Sequence, residues 1–139
     1  MMSKGHILVV EDNLDNYELV RFILERNGYD TFLAVNGQDG VAAARLQQPD
    51  LILMDLSLPG LDGWDATFQI KSDPRTKNIP LLALTAHTLP SDRKRALEAG
   101  VDGYLTKPFE LSDLVAAVET TLRKSRGEDS VSNEQTAVY

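Results

Sequence analysis

The chain contains no cysteine. That excludes a disulfide framework and any chemistry that needs a thiolate, and it suits a reducing compartment. Basic residues are in deficit: 14 Lys and Arg stand against 21 Asp and Glu, for a net charge of −7 and a pI near 4.7. Nucleic-acid phosphates need a basic surface, so no direct DNA binding is expected. Long hydrophobic runs are also missing. The apolar run after Lys4 ends at Glu11–Asp12, too soon for a signal peptide, and no stretch reaches the length of a membrane span. A cytoplasmic protein with no membrane contact is the expectation.

What is present is an ordinary globular composition, 42% hydrophobic and 25% charged over 139 residues. That length holds one domain with a real core, not two. Short apolar runs alternate with helical patterns. His6–Val10, Tyr29–Val35, Leu51–Met54, Ile79–Leu84 and Tyr104–Thr106 read as strands. The third and fourth lack polar alternation, as strands covered on both faces do. Tyr17, Val20, Ile23 and Leu24 line one face of a first helix that Gly28 can stop. Gly40–Leu46, Trp64–Ile70 and Ser91–Ala99 read as the next three helices, and Leu111 to Leu122 carries the fifth.

The order is βα repeated five times. Strands alternating with helices pair in parallel through right-handed crossovers, with helices on both faces. The fold class is therefore α/β, a doubly wound parallel five-stranded sheet. Residues 1–123 form the domain. From Lys124 to Tyr139 the chain is polar without apolar period and is expected to be a flexible tail.

In such folds ligands gather outside the carboxyl ends of the strands. The residues found there are Glu11, Asp12 and Asn13, then Asp55, then Thr85, Ala86 and His87, then Lys107 and Pro108. Three carboxylates on one rim repel each other and lose solvation, so a pKa should rise unless a cation is present. Mg²⁺, which takes oxygen ligands, would resolve the conflict. Carboxylate, cation, ammonium and hydroxyl together suit phosphoryl transfer. Asp is a known covalent acceptor of phosphoryl groups, and Asp55 directly ends a buried strand. Taken singly, each group has a plain reading as a loop acid, turn residue or surface lysine. Their joint placement at successive strand ends carries the inference.

These residues resemble the response-regulator receiver family. The resemblance runs from about His6 to Arg123 and rests on Ile7-Leu8-Val9-Val10-Glu11-Asp12-Asn13, Asp50-Leu51-Ile52-Leu53-Met54-Asp55-Leu56-Ser57-Leu58-Pro59 with Asp62-Gly63, Leu84-Thr85-Ala86, Ala99-Gly100-Val101-Asp102-Gly103-Tyr104 and Lys107-Pro108-Phe109. It implies a CheY-like, flavodoxin-like strand order 2-1-3-4-5. The Glu-Asp-Asn opening is similar to single-domain regulators of the DivK type and to receivers of hybrid histidine kinases.

The resemblance also implies roles. Asp55 is the phosphoacceptor. Asp12 is a direct Mg²⁺ ligand, Glu11 the second acid, and the Ser57 carbonyl a third contact. Lys107 pairs with the acceptor, Thr85 moves towards the phosphate, Tyr104 is the aromatic switch, and Lys107–Pro108 is a cis peptide. The implied donor is a sensor histidine kinase or a histidine phosphotransfer protein. The protein catalyses its own phosphorylation and dephosphorylation without being an enzyme in the turnover sense.

Beyond Lys124 there is no pattern for a helix-turn-helix. Output is therefore expected through the face made by the fourth helix, fifth strand and fifth helix, by partner binding, a phosphorylation-dependent dimer, or onward transfer. Other readings fit less well. An Asp-nucleophile phosphatase needs an acid where Ser57 stands. A flavin carrier needs a hydroxyl- and Gly-rich loop where Glu11-Asp12-Asn13 stands. A receiver-like module without phosphorylation would not keep the whole set. Trp64 reads as packing, His6 as exposed or structural, Arg93-Lys94-Arg95 as a solvated face or an acidic-partner site, and His87 as a group able to change charge near neutral pH.

Overall fold

In the computed structural model, residues 3–57, 63–86, 89–127 and 137–138 are described. The strands are β1 (Gly5–Val10), β2 (Tyr29–Ala34), β3 (Leu51–Asp55), β4 (Leu81–Thr85), β5 (Gly103–Thr106) and β6 (Ala137–Val138). The helices are α1 (Leu14–Arg26), α2 (Gly37–Gln47), α3 (Gly63–Ser72), α4 (Pro90–Ala99) and α5 (Leu111–Ser125). The sheet runs β2-β1-β3-β4-β5-β6, and every pairing is parallel. The expected order 2-1-3-4-5 is present, with β6 added on the outer edge of β5.

Alternation along the strands splits the core in two. Ile7, Val9, Leu53, Leu84 and Leu105 pack with Leu24, Leu114 and Val118 of α1 and α5. Leu8, Val10, Met54, Ala83 and Tyr104 pack with Val41, Ile70 and Ala96 of α2, α3 and α4. Every residue of β3 and β4 is buried, which is why neither shows polar alternation.

Local chemistry sets the helix ends. The Asn13 and Asn36 side chains accept from the backbone N–H of Asn16 and Asp39, capping α1 and α2. Glu110 and Asp113 form a reciprocal capping box on α5. Gly100 ends α4 at φ 94°, a backbone region open to glycine. At Gly63, a Cβ would collide with the Asp55 carbonyl oxygen and the Leu56 Cα, so α3 starts in direct contact with the end of β3.

Most element ends shift by one to three residues from the sequence reading, and three differences bear on the rim or the tail. β4 starts at Leu81 and includes Thr85, because Pro80 cannot donate to the ladder. The tail expected from Lys124 begins later, since α5 runs on through Ser125. Ala137–Val138 pairs with Gly103–Tyr104, so this part of the expected tail is a strand. No helix among the described residues is long and apolar enough to cross a membrane.

Candidate functional site

The ends of β1, β3, β4 and β5 converge on one rim. Parallel register sets Asp55 opposite Leu84 and Thr85 opposite Thr106. Main-chain bonds from Leu56 N–H to the Leu84 carbonyl and from Lys107 N–H to the Thr85 carbonyl hold the rim together. The Lys107–Pro108 peptide is cis, as the resemblance implied.

Glu11, Asp12 and Asp55 each offer a carboxylate oxygen, and these oxygens lie within 4.8 Å of one another. Glu11 and Asp55 are each only 4% exposed, whereas Asp12 faces solvent. The Asp55 Oδ1 accepts from the Ser57 N–H at 2.9 Å, and its Oδ2 faces Lys107 Nζ at 3.4 Å. One carboxylate oxygen is thus fixed by the backbone and the other by an ammonium, across 52 residues of sequence. Glu11 accepts from the Asn13 N–H at 3.2 Å. Burial, then the charge of Asp55, pushes the Glu11 carboxyl up to about 7. The expected pKa rise on this rim therefore falls on Glu11.

Thr85 is fully buried. Tyr104 is 2% exposed, and its hydroxyl is hydrogen-bonded to the Thr85 side chain. Burial raises the Tyr104 pKa, and the Thr85 contact opposes the rise. The ring is buried in the core on the α4 side of the sheet. Ser57, expected to contribute its carbonyl, sits on the exposed lip two residues past Asp55. Leu58, Pro59, Asp62 and His87 lie outside the described residues.

Several features of the site are new from the structure. Leu14, Leu19 and Phe22 of α1 are more than half exposed. Beside them lies a largely apolar groove of about 210 Å³ lined by Leu19, Val20, Phe109 and Leu111, with Glu11 and Lys107 also in its wall. A larger polar hollow of about 370 Å³, lined by Asp50, Arg75 and Arg126 among others, contains none of the rim carboxylates and plays no part in their chemistry. Trp64 is buried as packing, and the Arg95 guanidinium stacks over its ring at 4.2 Å. Two members of the exposed basic run on α4 thus have partners within the domain, Arg95 on Trp64 and Lys94 at 4.0 Å from Glu98. His6 is exposed and lies 3.4 Å from Asp30.

Residues 7–119 match the response regulator receiver domain family. The chain belongs to that family. As a receiver it is 41% identical over 119 residues to the DNA-binding dual master transcriptional regulator RpaA of Synechocystis, covering 86% of this chain and 49% of that protein. It is 34% identical over 116 residues to the polar-differentiation response regulator DivK of Brucella anthropi, covering 84% of this chain and 94% of that one. The chain thus spans about half the length of RpaA and nearly all of DivK. Among solved structures it is similar to the receiver domain of the sensor histidine kinase PA1611 from Pseudomonas aeruginosa PAO1, described with a magnesium ion coordinated in its active-site cleft. That likeness has a TM-score of 0.76 at 38% identity, covering 88% of this chain and 98% of the other. The chain is a response-regulator receiver domain of two-component signalling, with the CheY-like fold.

Proposed function

We propose that Asp55 accepts a phosphoryl group from a phosphohistidine on a sensor histidine kinase or a histidine phosphotransfer protein, with Mg²⁺ held beside it. The observation that carries this reading is the Asp55 carboxylate. It is buried, tied by one oxygen to the Ser57 N–H, and faced by Lys107 at 3.4 Å.

The donor set fits a hard divalent cation. Three carboxylate oxygens lie within 4.8 Å, and Glu11 retains its proton to about pH 7 when no cation is present. Asp12, Asp55 and the Ser57 carbonyl would be the direct ligands, with Glu11 behind them. Bound there, Mg²⁺ would offset the carboxylate charge and supply a positive centre for phosphoryl oxygens.

The chain's own groups do the rest. An Asp55 oxygen forms a bond to phosphorus as the phosphorus–nitrogen bond of the donor breaks, and the electron pair leaves with the imidazole. Lys107 neutralises charge on the equatorial oxygens. The Thr85 hydroxyl donates to one of them, exchanging its Tyr104 partner for phosphate. In the separate hydrolysis step, water attacks the same phosphorus, the Asp55 carboxylate leaves with the electron pair, and the proton of the water is released with inorganic phosphate.

The donor must reach Asp55 past the rim. The exposed Leu14, Leu19 and Phe22 and the adjoining groove suit the apolar face of a helix carrying the phosphohistidine. The output is a changed face of α4, β5 and α5 that binds a downstream protein or a second phosphorylated copy.

Incubation with acetyl phosphate and Mg²⁺ tests the proposal. The expected result is one added phosphoryl group, labile to base, that is absent from Asp55→Asn and absent in EDTA. Equal labelling of parent and Asp55→Asn would remove Asp55 as the acceptor.

A further inference from the structure

β5 would be an edge strand if the sheet stopped at five. Edge strands expose unpaired N–H and C=O groups. Here the outer edge is closed by Ala137–Val138, parallel to β5, with Ala137 opposite Gly103 and Val138 opposite Tyr104. α5 packs against the same strand. One of the two β5 residues in this pairing, Tyr104, is the one whose hydroxyl meets Thr85 at the rim.

The Tyr104 ring is buried on the α4 side of the sheet, with Ala83, Ala96 and Val101. β4 borders β5 on the inner side. A ring leaving that position for solvent has to pass over the outer edge of β5, beside α4. The backbone of β6 lies along that edge, at Tyr104 itself. A docked β6 therefore obstructs the outward orientation and leaves the inward one undisturbed. Both features, β6 paired and Tyr104 inward, occur together in this structure.

We propose that Ala137–Val138 is a latch on the switch: paired with β5, it holds Tyr104 against Thr85 and biases the receiver towards the state with the ring inside. The proposal rests on the reading of Thr85 and Tyr104 as the switch pair. A two-residue ladder gains few hydrogen bonds against the ordering of the chain that makes it, so the latch opens readily. It shifts the balance of ring positions and does not lock it. Linkage then runs both ways. A group that draws Thr85 and Tyr104 inward strengthens β6 docking, so that the output face then carries β6 along the edge of β5, and loss of β6 weakens binding of that group.

The test uses the full chain labelled with 3-fluorotyrosine, the Tyr104 signal being assigned with Tyr104→Phe. The parent is compared with Ala137→Pro/Val138→Pro, since proline cannot continue a ladder, and with the milder Ala137→Gly/Val138→Gly. A soluble gadolinium chelate reports exposure of each ring. In the parent, Tyr104 is expected to be protected. In both variants its exposed population should rise about tenfold, from the minor-state range, while amide exchange in β1 and β3 is unchanged. Equal protection of Tyr104 in parent and variants overturns the latch. Beryllofluoride with Mg²⁺ is then added. Return of the ring inward in the variants, at weaker beryllofluoride affinity than in the parent, supports the linkage, and a ring that stays exposed with the fluoride bound overturns it. Failure of beryllofluoride to bind either protein counts against the acceptor reading of Asp55, and the comparison made without it still decides the latch.

Discussion

Glu11 holds its proton more tightly in the folded, metal-free chain than it would unfolded, at about 7 against an ordinary 4.5. A group with a raised folded pKa contributes stability that is complete below its unfolded value and is lost as pH rises through the folded one. Metal-free protein should therefore weaken between about pH 4.5 and pH 7. The gap corresponds to on the order of 3 kcal/mol, a large part of the stability of a domain this size. Burial is the first cause and the charge of Asp55 the second, so Asp55→Asn should shrink the effect without abolishing it.

The assay is urea denaturation in EDTA, followed by the single tryptophan, Trp64, from pH 5 to 8. Glu11→Gln keeps an acceptor for the Asn13 N–H and has no proton to lose, so its stability should be flat where the parent declines. Asp73, held well below the usual carboxylate range chiefly by Arg75 and also by Arg45, has the opposite sign. Its contribution is lost only as pH falls below the ordinary carboxylate value, and it cancels in the difference between parent and variant. Mg²⁺ at about ten times its dissociation constant should return about 1.4 kcal/mol to the parent at pH 8 and much less to Glu11→Gln. A parent curve that is flat across this range, or a Glu11→Gln curve that slopes like the parent, would refute the reasoning.

Lys107→Ala should fold and bind Mg²⁺ yet lose about 10²-fold or more in the rate of labelling by acetyl phosphate, as read by a quenched time course. Gly63→Ala forces a Cβ into the Asp55 carbonyl and Leu56 Cα; it should cost about 1–3 kcal/mol by denaturation and slow labelling as well, because the acceptor strand must move. Arg95→Ala removes the cation stacked 4.2 Å over Trp64; it should cost about 0.5–1 kcal/mol and shift Trp64 emission. Lys71→Met removes the ammonium that lies 2.7 Å from both the Ile79 carbonyl and Asp102; Asp102 keeps the Leu81 N–H, so the loss should be about 1–3 kcal/mol, read as a lower urea midpoint.

Much of the architecture was legible because burial leaves a pattern. The all-buried β3 and β4 appear in the sequence as unbroken apolar runs, and Gly28 and Gly100 mark helix ends by their left-handed backbone. The rim was legible for a different reason. Glu11–Asp12, Asp55, Thr85 and Lys107 are each bland, but a parallel sheet puts the residue after every strand at the same end. What pattern could not supply was depth. The sequence places Tyr17, Val20, Ile23 and Leu24 on one face of α1, and the structure buries Tyr17, Val20 and Leu24 there; the sequence does not announce that Leu14, Leu19 and Phe22 together present a second, outward apolar face.

Lys71 and β6 mark the limit of sequence reasoning. A lysine near the end of a helix reads as a solvated charge at the negative end of the dipole. Lys71 instead turns inward to the Lys77 and Ile79 carbonyls and to Asp102, 31 residues away. Asp102 in turn accepts from the Leu81 N–H. That network joins the end of α3 to the starts of β4 and β5, and no local period announces it. β6 is invisible for a simpler reason: it pairs through its main chain, over two residues, and needs no alternation of side chains. Both features bear on Tyr104. Lys71 and Asp102 fix where β5 begins, Gly103 brings β5 against Leu82 and Thr121 so closely that a Cβ would crowd both, and β6 closes the outer side. The backbone that carries Tyr104 is thus held at its start, on its α5 face and along its outer edge, and the ring it carries is buried among Ala83, Ala96 and Val101.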